Sequence, residues 1–173
     1  AFTAIKADGS IKVWGGSGHG DTSAPSNGIY TKVYSNAFAF AALKADGSIT
    51  AWGDSNKGGS NAPAGSGYTK IYSASSAFAA LKADGSIKAW GDSSYGGTGA
   101  PSTGVYTKIY STAHAFAALK ADGSITAWGA SSYGGTTPSG SGYTKIYSND
   151  GAFAALKTDG SIKVWGNSNT GGV

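Results

Sequence analysis

One sequence pattern recurs along the whole chain of 173 residues and constrains its fold more than any other feature. The five tryptophans are 38, 38, 38 and 37 residues apart: Trp14, Trp52, Trp90, Trp128 and Trp165. Around each of them the sequence is nearly copied, as in LKADGSITAWG and LKADGSIKAWG. A fixed period of this length is typical of arrays in which one small unit stacks on the next. We therefore predict a single repeat array, 1–173, with units at approximately 1–29, 30–67, 68–105, 106–142 and 143–173.

The composition indicates that the repeated unit is built from strands. The chain has no Arg, Glu, Gln or Met, which removes most of the strong helix formers, whereas Gly, Ser, Thr, Tyr and Ile are plentiful. It also has no Cys, which excludes disulfides, thiolate nucleophiles and thiolate-bound metals. The sequence therefore predicts an all-β fold.

Each of the five copies of the segment that ends at a Trp predicts a β-hairpin. An apolar run precedes an Asp-Gly pair, and a second β-prone run ends at the Trp. Asp-Gly is typical of a type I′ turn, in which both central residues have positive φ. We expect the five aspartates to be turn residues rather than catalytic or calcium-binding carboxylates: Asp8, Asp46, Asp84, Asp122 and Asp159.

A second segment, found four times, predicts a third strand in each unit. In Tyr106–Ser111 it reads YTKIYS, and its alternation places Tyr, Lys and Tyr on one face. This face is a candidate interface, although packing on the next unit is the simpler interpretation. A loop of about a dozen residues joins each Trp to this strand and has room for a short fourth strand.

Apolar residues on both faces of these strands indicate that each small sheet is covered on both sides. Alanines allow close approach of neighbouring sheets, and one Phe and one Trp per unit fill the gaps. We expect a β-propeller of about five small three- to four-stranded blades, with an open or superhelical stack of the same units as the alternative. The predicted core residues are Trp14, Trp52, Trp90, Trp128, Trp165, Phe2, Phe40, Phe78, Phe116 and Phe153.

Four elements of the fourth unit are similar to the repeat of the regulator of chromosome condensation family: Tyr106–Ile109, His114–Leu119, Asp122-Gly123 with Trp128-Gly129, and Tyr133–Gly135. The chain also resembles AFAALKADGS…AWGDSSYGG tandem repeats of large microbial surface or secreted proteins. The resemblance implies a β-propeller of small antiparallel blades. It does not imply nucleotide exchange or nucleosome binding, because these repeats are shorter and lack both a wedge-like insertion and an Arg-rich loop.

The 13 Lys and 9 Asp alternate along the chain, so no basic face is built and we expect no nucleic-acid partner. No apolar run has the roughly 18 residues of a membrane span, and we expect no membrane insertion. The chain starts at Ala with no leader, which suggests either a processed product or a segment of a longer chain. We expect an extracellular or cell-surface location.

No catalytic constellation is evident. The two histidines, His19 and His114, occupy different positions within the repeat, and no nucleophile elbow or phosphate-binding loop followed by a helix is present. Repeated equivalent groups favour multivalent binding over catalysis. We therefore predict no enzyme activity, no cofactor and no metal.

The loops after each Trp-Gly are the candidate ligand surface. Their Asp and Asn side chains could hydrogen-bond sugar hydroxyls and their Tyr rings could stack on a sugar, although ordinary turn chemistry also explains them. The candidate residues are Asp54, Asn56, Asp92, Tyr95, Tyr133, Asn167 and Asn169. A multivalent glycan-binding propeller is thus the alternative function.

Five hairpins but only four YTKIYS-type strands leave one unit incomplete. An open strand edge is a template for pairing with another strand. We therefore predict self-association through this edge, and a non-enzymatic structural or adhesive module that binds itself or a protein partner.

Overall fold

The computed structural model of the chain describes residues 1–16 and 23–173 and consists of five small antiparallel sheets. The first sheet has two strands, and each of the others has three. The strands are β1 Phe2–Ile5 and β2 Ile11–Trp14; β3 Tyr30–Ser35, β4 Ala39–Lys44 and β5 Ile49–Gly53; β6 Tyr68–Ser73, β7 Ala77–Lys82 and β8 Ile87–Gly91; β9 Tyr106–Ser111, β10 Ala115–Lys120 and β11 Ile125–Gly129; β12 Tyr143–Ser148, β13 Ala152–Lys157 and β14 Ile162–Gly166. The all-β prediction is confirmed.

The loop after the last strand of each three-stranded sheet contains one 3₁₀ turn. No fourth strand is present in these loops in the described part of the chain. These turns are Ser55–Lys57, Ser93–Tyr95, Ser131–Tyr133 and Ser168–Thr170. Each ends at a glycine in the left-handed conformation, with φ between +86° and +98°. No helix of the described residues is long and apolar enough to cross a membrane.

The hairpin turns differ from the type I′ prediction. In the third sheet, the Gly85 amide donates to the Lys82 carbonyl at 3.0 Å, and the Lys82 amide donates to the Ser86 carbonyl at 2.9 Å. Gly85 has φ +83°, whereas Asp84 is not in the positive-φ region. This is a three-residue loop, a type I turn closed by a left-handed glycine. The Asp side chain explains the choice, because Asp84 Oδ1 accepts from the Ser86 amide and hydroxyl at 2.9 and 2.7 Å.

A β-bulge separates the Tyr-Lys-Tyr residues that were expected on one face. In the third sheet the register shifts between Tyr68 and Lys70. Tyr68 is therefore buried on the same face as Ile71, whereas the Lys70 ammonium lies 4.9 Å from the ring centre of Tyr72 on the opposite face. The sequence alternation was misread because a bulge inserts one residue into the period of two.

Each three-stranded sheet has two unlike faces. We call one the small-residue face; in the third sheet it carries Tyr72, Ala77, Ala79, Leu81, Ile87 and Ala89. We call the other the aromatic face; in the same sheet it carries Tyr68, Ile71, Phe78, Ala80 and Trp90. Phe78 and Trp90 are cross-strand neighbours whose stacked rings have centres 5.2 Å apart.

The core consists of interfaces between successive sheets. The small-residue face of the third sheet packs on the aromatic face of the fourth, which contributes Tyr106, Ile109, Phe116, Ala118 and Trp128. The other three junctions repeat this pairing. Close-packed alanines on one side admit the large rings of the other. Every junction therefore joins one small-residue face to one aromatic face, and the array has a direction.

Backbone hydrogen bonds link equivalent loops of successive sheets. The amides of Ala37, Ser75 and Ala113 donate to the carbonyls of Ser75, Ala113 and Asp150 at 3.3, 2.9 and 2.9 Å. These loops line one common depression. The sheets are thus arranged side by side around a shared axis, as blades of a β-propeller are.

Candidate functional site

A recurring contact, which we call the inter-sheet clasp, joins each of the first three 3₁₀ turns to the following sheet. Trp90 Nε1 donates to the Gly58 carbonyl at 3.0 Å, and Trp128 and Trp165 donate to Gly96 and Gly134 at the same distance. These glycines also lie against the Phe of that sheet. A Cβ on Gly58 would be 2.7 Å from Phe78 Cδ2, so only glycine fits between turn and ring. Each clasp therefore joins one Gly to one Phe-Trp pair of the next unit.

The clasp was missed by the sequence interpretation, although a signal for it exists. Each of these glycines is the sixth residue after the Trp of its own unit, as Gly58 is after Trp52. The partner Trp lies 31 or 32 residues later in the chain. A local sequence pattern does not extend over 31 or 32 residues. The Trp and the Gly meet only because two sheets stack on one another.

The fifth sheet leaves its small-residue face open, and we call this the small-residue end surface. It carries Tyr147, Ala154, Leu156, Ile162 and Val164. Ile162 is 67% exposed, whereas the equivalent Ile125 is 4% exposed. The clasp glycine of this unit, Gly171, has φ +98° and no atom within 4 Å of the position of its missing Cβ. This surface therefore has every component of a junction except the aromatic face that covers it.

The first sheet leaves its aromatic face open, and we call this the aromatic end surface. It carries Phe2, Ala4 and Trp14, with the two rings stacked at 6.0 Å. Phe2 and Trp14 were expected in the core, but they are 67% and 50% exposed. Their local sequence matches that of the inner units, and the difference is that no small-residue face precedes them among the described residues.

The other predicted core residues lie inside the array. The inner tryptophans are 2% to 6% exposed, and the inner phenylalanines are 0% to 7% exposed: Trp52, Trp90, Trp128, Trp165, Phe40, Phe78, Phe116 and Phe153. Each Phe stacks on the Trp of its own sheet, with ring centres 5.2 to 5.4 Å apart. The contrast with the first unit shows that burial is set by the neighbouring sheet.

The predicted ligand residues lie in the 3₁₀ loops, where most of them have structural partners. Asp54, Asp92 and Asn167 each accept a hydrogen bond at 2.9 Å from the amide two residues later. For Asp54 and Asn167 this donor is the amide of Asn56 and Asn169. These side chains cap the turns, as Asp and Asn commonly do.

Asp92 also joins two neighbouring units. Its Oδ2 accepts from Lys57 Nζ at 2.6 Å, and this hydrogen bond holds the pKa of the Asp92 carboxyl below its usual value. A polar groove beside this contact brings Asn56 and Asn61 close to Asp92. Predicted ligand residues of two units, Asn56 and Asp92, therefore line one groove.

The two candidate stacking rings, Tyr95 and Tyr133, lie on either side of His114. The ring centres of Tyr95 and His114 are 4.4 Å apart, and those of His114 and Tyr133 are 4.1 Å apart. The Lys57 ammonium lies 5.5 Å from the centre of the Tyr95 ring. The rings therefore serve as partners to one another, which leaves less of their surface for a ligand. The second histidine, His19, lies outside the described residues.

The five turn aspartates are fully exposed and separate from one another. Hydrogen bonds from the serine two residues later lower the pKa of each: Asp8, Asp46, Asp84, Asp122 and Asp159. Among the described residues, no group of three His, Cys, Asp or Glu side chains could hold a metal ion. Their geometry is that of turn residues.

Comparison with protein-family models and with curated proteins finds no match. Among solved structures, the chain is similar to the ectodomain of the receptor kinase CR4 of Physcomitrella patens, with a TM-score of 0.60 and 19% identity over 83% of this chain and 40% of that one. It is similar to Prp20p of Saccharomyces cerevisiae, with a TM-score of 0.61 and 15% identity over 82% and 47%. The CRINKLY WD40 ectodomain of ACR4 from Arabidopsis thaliana gives 0.58 and 16% over 95% and 64%.

The chain spans less than half the length of the first two of these structures. At these identities the likeness concerns the fold alone. Together with the sheet order and the junctions described above, it establishes an all-β repeat fold of the β-propeller type, built from small three-stranded blades.

Proposed function

We propose that this chain is a non-enzymatic structural or adhesive repeat module of a surface or secreted protein, which mediates self-association or partner binding through its two end surfaces. The observation that carries the proposal is the exposure of residue types that are buried elsewhere in the array. Trp14 is 50% exposed against 2% for Trp52, and Phe2 is 67% exposed against 0% for Phe78. Exposed apolar patches of this kind mark interaction sites.

The arrangement of charged groups supports a non-enzymatic role. The turn aspartates repeat one environment, in which each carboxylate accepts hydrogen bonds from the serine two residues later. Catalysis usually combines unlike groups whose pKa values are pushed apart. A scaffold needs only junctions that hold the units in series, and this chain repeats one pairing of faces at the four described junctions.

The structural neighbours are compatible with protein association at a cell surface. Two of them are ectodomains of receptor kinases. Prp20p binds Gsp1p and histones, and yeast RCC1 has been seen bound to Kap60. For this chain, a protein partner is a proposal that rests on its own exposed apolar ends. An extracellular location is a proposal that rests on the resemblance of its repeats to those of surface or secreted proteins.

Light scattering on the purified chain over a concentration series tests the proposal. We expect the average mass to rise above 17.1 kDa as the concentration increases, because apolar end surfaces lose contact with water on association. A mass that stays at 17.1 kDa throughout would contradict self-association. A parallel capture experiment with extracellular protein partners then decides whether the module binds anything else.

A glycan-binding role is the second candidate, favoured by the polar groove that brings Asn56, Asn61 and Asp92 together. Amide and carboxylate groups of this kind can accept and donate hydrogen bonds to sugar hydroxyls. On a glycan array, Asn56→Ala would abolish binding without changing the melting temperature. Absence of any bound glycan for the unmodified chain would reject this candidate.

A further inference from the structure

We propose that the partner of the end surfaces is a second copy of this chain, bound head to tail, with the aromatic end surface of one copy on the small-residue end surface of the next. The inference rests on the proposed function, since it assumes association through the ends. It adds the identity of the partner and the orientation in which it binds.

The argument for a second copy is that the chain already contains junctions of this type. At each of the three junctions between three-stranded sheets, a face with Ala at the position of Ala154 receives a face with Ala at the position of Ala4. At the first junction, Thr3 stands at the first of these two positions. All inner alanines at these two positions are fully buried: Ala41, Ala79 and Ala117 for the first, and Ala42, Ala80, Ala118 and Ala155 for the second. Ala4 itself is exposed and Ala154 is half-buried. The two ends thus carry matching halves of a junction.

The open clasp gives the register of the docking. Gly171 has the same left-handed conformation as Gly58, Gly96 and Gly134, but nothing lies against it. At the three junctions between three-stranded sheets, this glycine contacts a Phe and its carbonyl accepts from a Trp. In the head-to-tail pair, Phe2 of the incoming copy covers Gly171 and Trp14 Nε1 donates to the Gly171 carbonyl.

Packing disfavours pairs of like ends. The small-residue end surface presents Ala154 and Val164, and a copy of itself would bring no ring to fill the gap over Gly171. Two aromatic end surfaces would bring Phe2 and Trp14 against one another with no clasp carbonyl to accept the indole N–H. Protein interiors are close-packed, so voids and unpaired polar groups both weaken these alternatives.

The head-to-tail contact has two consequences. It is heterologous, so it propagates until the rotation between copies closes a ring, or else continues as a filament. It is also weaker than an inner junction, because the first sheet has two strands and brings no counterpart of Tyr143 and Ile146. Association is therefore reversible and depends on concentration.

A pair of complementary variants tests the orientation. Ala4→Asp places a charge on the aromatic end surface, and Ala154→Asp places one on the small-residue end surface. Ala64→Asp, at an exposed loop position, is the matched control. Circular dichroism should show that all three variants fold.

By light scattering, the control should assemble like the unmodified chain, and each end variant alone should remain a monomer. An equimolar mixture of the two end variants should form a species of twice the chain mass, because one intact end of each type remains. Self-association of either end variant alone, or a mixture that stays monomeric while the unmodified chain assembles, would overturn the head-to-tail orientation but leave the proposed function in place. A monomeric unmodified chain at all concentrations would overturn both.

The clasp is tested separately by Trp14→Phe, which keeps a ring and removes the indole donor. We expect the dissociation constant to rise about 2- to 10-fold, which corresponds to the net contribution of one hydrogen bond. An unchanged constant would show that Trp14 Nε1 makes no bond to the incoming copy and would overturn the stated register.

Discussion

Replacement of Trp90 by Phe measures what one inter-sheet clasp contributes to folding. The Trp90 Nε1 donor and the Gly58 carbonyl are 3.0 Å apart and buried, so Trp90→Phe leaves the carbonyl without its partner. An orphaned buried polar group costs about 1–3 kcal/mol. The variant also loses the volume of the indole, which adds a cavity cost.

Trp52 is the internal control that separates the two costs. It is 2% exposed against 4% for Trp90, and it stacks on its Phe at 5.4 Å against 5.2 Å. Its Nε1, however, is buried with no hydrogen-bond partner in the described part of the chain. Trp52→Phe therefore carries the cavity cost without breaking a hydrogen bond to any described residue.

We expect Trp90→Phe to be more destabilising than Trp52→Phe by about 1–3 kcal/mol. In a chain of this length, that corresponds to a difference in melting temperature of roughly 2–12 °C. Urea unfolding followed by circular dichroism gives the two free energies, provided that the slopes with urea agree. Equal losses in the two variants would refute the reasoning, because the clasp bond would then contribute nothing beyond ring packing.

Three further predictions concern the glycines, the turns and the open end. Gly96→Ala should destabilise the fold more than Gly142→Ala, since both have positive φ but only at Gly96 would a Cβ meet Phe116, at 2.7 Å; equal melting temperatures would contradict this. The stability contributed by the turn aspartates should be fully present above their unfolded pKa of about 3.8 and should be lost as the pH falls towards their lowered folded pKa, because they bind protons more weakly when folded. The melting temperature of Asp84→Ala should therefore depend less steeply on acid pH than that of the unmodified chain. Acrylamide should quench Trp14 preferentially, so Trp14→Phe removes most of the quenchable fluorescence of the dilute chain, and an unchanged quenching curve would argue against the exposed aromatic end surface.

The sequence predicts the repeated units correctly because the residues that specify each strand and turn lie close together in the chain. The Asp-Gly pair, the flanking β-prone runs and the YTKIYS segment each specify a strand or a turn within a dozen residues. The turn type was wrong because Asp84 uses its side chain to cap the turn and only Gly85 takes positive φ. The prediction that Tyr, Lys and Tyr share one face was wrong because a bulge between Tyr68 and Lys70 places Tyr68 on the opposite face from Lys70 and Tyr72.

The candidate site depended on tertiary structure in a different way. Asp92 and Asn56 were identified as loop residues, but their meeting in one groove results from the stacking of two units. The Trp90 to Gly58 bond joins groups 32 residues apart, and no local pattern contains it. The rings of Tyr95 and Tyr133 were read as ligand platforms, whereas the structure stacks both on His114.

The amino-acid sequence by itself determined the period, the all-β class and the position of each hairpin, because these follow from residue types within one unit. Tertiary structure alone decided which copies of an almost identical residue are buried. Trp14 and Trp52 have nearly the same neighbours in sequence, yet one is 50% and the other 2% exposed. The physical reason is that burial requires two faces in contact. The apolar surface of one unit is removed from water only where a neighbouring unit covers it.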